Sequence, residues 1–459
     1  MQQPKLRPLA LAIFLACGPV THAATITVTT GGDAGSSVTC TFRQAIESAN
    51  ADAHGSSACA DGSGADTITF PVDLANSRIT LTGGVLSVTA PLTILGSGQI
   101  IDANNVSVAL AVASTTLDFS NMSAVNGSPG FTADNSEVTA RNVMISGSSS
   151  GNGGGARLTG GTATLISSTV SNNLATVSGG GITAQNGAAV NLVGSTISGN
   201  SAGFGGGIYM APSTTLTVSN STISGNSASG TGQSGAGING QNCSGIDITD
   251  STISGNTALH QGGGMLVYNC NVSIANSTVT GNVSTVSGGG GIYVVGAAIG
   301  TLINTTVSGN SAAQAGGILV YQATVTLANT IASNNTAHAN YESTRDISSY
   351  SGAVVSANYS LLGTALNTPT FNAVSNHNVF SDSPVLGPLQ NNGGPTQTLA
   401  LLSSSPAIGS GSPALAKVGT QVLNYDQRGQ PRIFGALVDI GAYESEGDRV
   451  FAGGFEGPP

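Results

Sequence analysis

From about residue 160 the chain keeps returning to one phrase. It reads STVSNN at 168, STISGN at 195, 221 and 251, STVTGN at 277 and TTVSGN at 305. A Gly-rich phrase follows each time, ending on Ile182, Ile208, Ile238, Met265, Ile292 and Ile318, at intervals of 26, 30, 27, 27 and 26 along the chain. Units of this length cannot bury an apolar face alone, so they must stack on one another as a solenoid. Within one unit, Val190-Asn191-Leu192, Ile197 between Thr196 and Ser198, and Ile208-Tyr209-Met210 alternate with period two and are separated by turn residues. Three short strands per coil, with no helical stretch between them, make a parallel β-helix whose coils advance by one strand spacing, ~4.8 Å.

The register is tighter than the period. The interval from each Gly-phrase apolar residue to the next Asn of the STISGN phrase is 18, 18, 18, 17 and 18. The interval from that Asn to the following apolar residue is 8, 12, 9, 10 and 8. Length variation is thus confined to one turn, which forms a variable edge of the solenoid. Two side-chain ladders follow: Asn200, Asn226, Asn256, Asn282 and Asn310 at one turn, and Asn220, Asp250, Asn276, Asn304 and Asn329 at another. Stacked amides can hydrogen-bond along the axis, and Asn tolerates the left-handed conformation of tight turns. Cys243 and Cys270 are separated by the same interval as Ile238 and Met265 of the same coils. They occupy equivalent positions on neighbouring strands, within reach of a disulfide.

Composition removes several classes. With 66 Gly and 7% charged residues among 459, the chain is unsuited to helices, while 39% hydrophobic residues exclude disorder. Only 11 basic residues against 21 acidic ones leave no cluster for nucleic acid. Lys5 and Arg7 precede an apolar run from Leu9 to Val20, and Thr21-His22-Ala23 offers small cleavage-site residues, so residues 1–23 read as a secretory signal peptide. No later segment is long and apolar enough for a transmembrane helix. Export places Cys40, Cys59, Cys243 and Cys270 where disulfides persist. Residues 40–50 read as a short amphipathic helix: Thr41 and Gln44 form a capping box, and Phe42, Ala45, Ile46 and Ala49 share one face. This helix would cap the first coil, pinned by a Cys40–Cys59 disulfide, because an open β-helix must cover its ends.

CTFRQAIESAN followed by DTITF resembles the CSLREA segment of secreted bacterial right-handed β-helix proteins, departing from it at Thr41, Phe42 and Gln44. GPLQNNGGPTQTLAL from Gly387, SSPAIGSG from Ser404, YDQRGQPR from Tyr425 and DIGAYE from Asp439 are similar to the choice-of-anchor Q segment. The coils are similar to the repeats of polymorphic outer-membrane proteins. The resemblance implies a protein secreted or held at the outer surface of a bacterium, without an established common activity. No translocator barrel is expected in the short stretch that follows Glu444. The expected fold is an all-β, right-handed parallel β-helix of the pectin-lyase-like kind, with three strands per coil and about twelve coils. The expected division is signal peptide 1–23, cap 24–70, coils 71–385, C-terminal segment 386–446 and tail 447–459.

Function is harder to read, because residues 158–341 hold only two charged side chains, Asp247 and Asp250. Lyase or hydrolase chemistry needs paired carboxylates and a basic residue. Asp247, Asp250 and His260 are the catalytic candidates within the coils, and Asp134, Glu137, Arg141 and Arg157 are a further charged group upstream. No metal or cofactor is expected. The outward hydroxyls Thr196/Ser198, Thr222/Ser224, Thr252/Ser254, Thr278/Thr280 and Thr306/Ser308 form a flat ladder on one face. Tyr209 and Tyr293 point outward on another, though the register sets Asn239 and Leu266 between them. The expected role is an exported, non-enzymatic, adhesin-like scaffold, monomeric, whose partner is an extracellular polysaccharide or a cell-surface glycan or protein. The alternative is a polysaccharide lyase or glycoside hydrolase.

Overall fold

The computed structural model describes residues 23–52, 58–338, 340, 344–364, 376–432 and 437–445. Residues 1–22 of the expected signal peptide and the tail 447–459 lie outside the described residues. Parallel pairing runs from Thr25–Thr27 to Val379–Phe380. Three long ladders form three faces. One coil reads Ile182–Gln185 on face 1, Ala189–Val193 on face 2 and Thr196–Ser198 on face 3. Face 1 stacks Leu86, Leu110, Phe131, Ala156, Ile182, Ile208, Ile238, Met265, Ile292, Ile318 and Ile347 in one inward column, which makes about eleven turns. The coils also carry a fourth, shorter ladder that the apolar period does not reveal. It runs through Ser201–Ala202, Ser227–Ala228, Thr257–Ala258 and Val283–Gly288, in the variable turn between faces 3 and 1.

The inward residues form one continuous core along the solenoid, buried at every coil. Each fully buried aliphatic side chain contributes about 1.5–3 kcal/mol. What fixes the coils in register is polar. The side chains of Asn173, Asn200, Asn226, Asn256, Asn282, Asn310 and Asn335 each donate to the Oδ1 of the next member at 2.9–3.0 Å, the last to Asp346. Each Nδ2 also donates to a carbonyl of the preceding coil, as Asn256 does to Ile223. Each Oδ1 takes a second hydrogen bond from the backbone N–H of the previous Asn. Every amide therefore ties three coils together. The ladder ends on Asp346, which burial pushes above the usual carboxylate range although Asn335 and Arg345 act against it.

The two Asn rows differ. In the first, the left-handed residue is the one before each Asn, a Gly in the five central coils, as at Gly225 with φ 63°, and Asn172 or Asn334 at the ends, so the ladder amide is free to turn inward. In the second, Asn220, Asp250, Asn276, Asn304 and Asn329 themselves take φ of 45–51°. Their side chains meet loosely: Asn304 donates to Asn276 at 3.4 Å, and Asn276 reaches the Asp250 carboxylate. A further ladder explains why the repeated phrase opens on Ser. The N–H groups of Ser168, Ser195, Ser221 and Ser251 each donate to the hydroxyl of the Ser one coil on. At Gly207 an added Cβ would lie 2.5 Å from the Gly237 carbonyl and 3.0 Å from Asn226 Nδ2, so the stacked turns and the ladder leave no room for a side chain.

The helix Phe42–Ala51 has its Thr41–Gln44 capping box and buries Phe42, Ala45, Ile46 and Ala49. Disulfides join Cys40 to Cys59 and Cys243 to Cys270, with Cα atoms 4.8 and 4.9 Å apart. After Leu386 the pairing turns antiparallel, between Leu386–Gln390 and Thr398–Leu401. Replacing Asn256 by Ala strands the Ile223 carbonyl and the Asn226 donors in the core. We expect a loss of about 3 kcal/mol or more in denaturant unfolding, against less than about 0.5 kcal/mol for Asn191→Ala on outward face 2.

Candidate functional site

Outside the core, face 1 carries two columns of side chains. The first runs Arg157, Thr183, Tyr209, Asn239, Leu266, Tyr293 and Leu319. Asn239 and Leu266 do separate Tyr209 from Tyr293. Tyr293 is only 7% exposed, because Leu266, Val295, Ala315 and Leu319 pack around it beneath the variable turn. It offers no ring to solvent. Tyr209 stays half-buried, and burial raises its phenol pKa, so it remains a hydrogen-bond donor at neutral pH.

The second column reaches solvent at Tyr268, Tyr321 and Tyr350, whereas its Val295 is buried. Gln241, Tyr268, Val295, Tyr321 and Tyr350 occupy one position of five successive coils. Tyr321 and Tyr350 are 36% and 37% exposed, and Tyr268 is half-buried. Upstream the same column opens into a groove of about 630 Å³. Gln185, Ala211 and Gln241 floor it, and Val177, Phe204, Tyr209 and Gln233 line its sides. Amide floor and tyrosine rings thus share one uncharged column along the solenoid, broken in its exposure only at the buried Val295. The signal was available in the sequence: each ring sits at the fourth position of a face 1 strand that opens on an inward apolar residue, Met265, Ile318 or Ile347.

The hydroxyl ladder of face 3 is largely occupied. The C-terminal segment lies across it: Thr252 donates to the Gln397 carbonyl and Thr278 to Gln427 Oε1, both at 2.6 Å, and Thr306 accepts from Ala442 N at 3.0 Å. Thr252, Thr278, Thr280, Thr306 and Ser308 are buried, contrary to the open face expected, and Thr196/Ser198 and Thr222/Ser224 are partly exposed. The second Asn row serves the same contact. Asn276 donates to the Tyr425 carbonyl, and Asn329 exchanges two hydrogen bonds with Ser412.

The candidates Asp247, Asp250 and His260 are not brought together. Asp247 is exposed on face 2, Asp250 sits at the corner before face 3, and His260 lies in the variable turn, where its carbonyl accepts from the Ser284 hydroxyl. Upstream, Arg141 pairs with Asp118 at 3.5 Å, on face 2 with Glu137, whereas Asp134 and Arg157 belong to face 1. Among the described residues no group of three or more His, Cys, Asp or Glu is placed to hold a metal, and no helix is long and apolar enough to cross a membrane.

Charge instead concentrates inside the C-terminal segment, where its two motifs bind one another. Asp426 accepts from Arg428 Nε and Nη2 at 2.9 and 2.7 Å and from Glu444 N at 3.0 Å. Arg428 lies 3.6 Å over the Tyr443 ring. Arg432 is fully buried and donates to the Gly441 carbonyl at 3.1 Å, with Glu444 at 3.4 Å. Buried ion pairs of this kind fix one arrangement rather than add much stability.

Fold and strip define a parallel β-solenoid with an uncharged strip along part of face 1. The right-handed β-helix region family matches residues 93–232 and 229–360, and the chain belongs to that family. A solved structure, that of pectate lyase Pel9A, is similar over 93% of this chain and 97% of its own, at 13% identity and a TM-score of 0.41. No curated protein sequence matches the chain.

Asp250 tests the corner. Burial raises its pKa most, with Asp426 adding, while Asn276 and Arg432 pull it down. A carboxylate with a raised folded pKa costs stability that grows as pH rises from the unfolded pKa through the folded one, and the cost vanishes below both. Asp250→Asn, which matches the rest of its row, should therefore stabilise the protein at pH 7. In thermal unfolding the gain should shrink to nothing below about pH 3.8.

Proposed function

We propose that the protein is an exported, non-enzymatic scaffold that holds a neutral polysaccharide lengthwise along face 1. The observation that carries this reading is the column Gln241, Tyr268, Val295, Tyr321 and Tyr350, continuous with the groove above it. Pyranose rings present apolar C–H faces and equatorial hydroxyls, which suit exposed aromatic rings and side-chain amides respectively. Successive positions lie about one strand apart, ~4.8 Å, on the scale of a single sugar ring. A formal charge of −10 disfavours acidic polysaccharides, so a neutral chain is the better match. Two disulfides fit an oxidising, extracytoplasmic setting.

The test is affinity electrophoresis against a panel of neutral polysaccharides and polyuronides. Retardation by a neutral polymer is expected, with Tyr321→Ala and Tyr350→Ala each weakening it about fivefold to tenfold. Tyr425→Ala, at an exposed ring on the C-terminal segment, should leave it unchanged. Unsaturated or reducing-end products from any polymer would replace the scaffold reading by a lyase or hydrolase.

A further inference from the structure

We propose that the chain is cut between Ala23 and Ala24, and that the α-ammonium group so created is the counter-ion of the buried Asp66 carboxylate. Asp66 opens the strand Asp66–Thr69 and is fully buried. Its Oδ1 accepts from Ala24 N at 2.8 Å, and both its oxygens accept from Ser63 N at 3.0 Å. No described Lys or Arg pairs with it. Arg43 is bound to Asp33 and Arg78 to Asp102. The other charged residues of the cap, Glu47, Asp52 and Asp61, are acidic. A buried carboxylate with only neutral donors is far more costly than one with a cation, so the site lacks a positive charge.

Ala24 is the residue able to supply that charge. Its carbonyl accepts from Thr67 N at 2.8 Å, so it is held on both sides of its Cα, whereas Ala23 is exposed. The residues before it, with Thr21 and Ala23 at the small-residue positions after the apolar run, suit a leader peptidase. Hydrolysis breaks the Ala23–Ala24 peptide bond. The hydroxyl of water goes to the Ala23 carbonyl carbon, which becomes a carboxylate, and the Ala24 nitrogen takes protons to become –NH₃⁺. The neutral N–H···O⁻ contact at Asp66 thereby becomes an ion pair, and the first coil is completed by maturation.

Two measurements on the exported full chain test this. Intact mass should place the new N-terminus at Ala24. The rate at which an amine-selective reagent labels that terminus, followed against pH, should give an α-amine pKa raised by about one unit or more over the ordinary value of about 7.7–8.0. A raised amine stabilises the fold fully below the unfolded pKa and loses that effect as pH rises through the folded one. Asp66→Asn should return the titration to the ordinary value. A Gly-Ser extension before Ala24 should lower the folding equilibrium constant about tenfold or more in the parent, and much less in Asp66→Asn. A terminus elsewhere, or an α-amine that titrates normally, would overturn the proposal. Should Asp66→Asn not fold, the titration of the unaltered protein decides it alone.

Discussion

One buried amide per coil holds this solenoid in register. Asn256 receives two hydrogen bonds from Asn226, gives two to Asn282 through its side chain and backbone, and gives another to the Ile223 carbonyl. A hydrophobic core of interchangeable Ile, Val and Leu would tolerate a slip of one coil against the next. The amide would not, because every slip strands donors and acceptors away from water. The constraint also explains why the stretch from each Gly phrase to its ladder Asn keeps its length while one turn varies. Only that turn lies outside the path between them.

The second corner solves a different problem with similar residues. Its Asn and Asp side chains are in the left-handed conformation and project to the side of the solenoid, where they meet the C-terminal segment. That segment brings its own buried ion pairs and covers face 3 along the coils of Thr252, Thr278 and Thr306. The protein thus uses one face for its own closure. Face 1, opposite in character, keeps an open strip of amides and tyrosine rings.

Much of this was legible because a solenoid converts sequence period directly into spatial neighbours. The Asn256 row, the Cys243–Cys270 pair and the Thr41–Gln44 capping box all follow from local spacing. What stays hidden has physical causes. Gln427 meets Ser251 and Thr252 at sequence separations of 176 and 175, and no periodic signal connects a non-repeating tail to a repeated face. The hydroxyl ladder therefore looks open in the sequence and is covered in the fold. The tyrosine column is masked in another way: Val295 interrupts it, so no unbroken aromatic period marks the position two residues beyond Tyr293. Ser251 and its row are silent because a single hydroxyl gives no apolar period.

The functional account rests on face 1 being the binding surface. Amide hydrogen exchange, followed with and without a saturating neutral oligosaccharide, tests it directly. The account predicts slower exchange confined to Ile238–Gln241, Met265–Tyr268, Ile318–Tyr321, Ile347–Tyr350 and the adjoining variable turn. Protection centred on face 2 or on the C-terminal segment, with these strands unchanged, would contradict it.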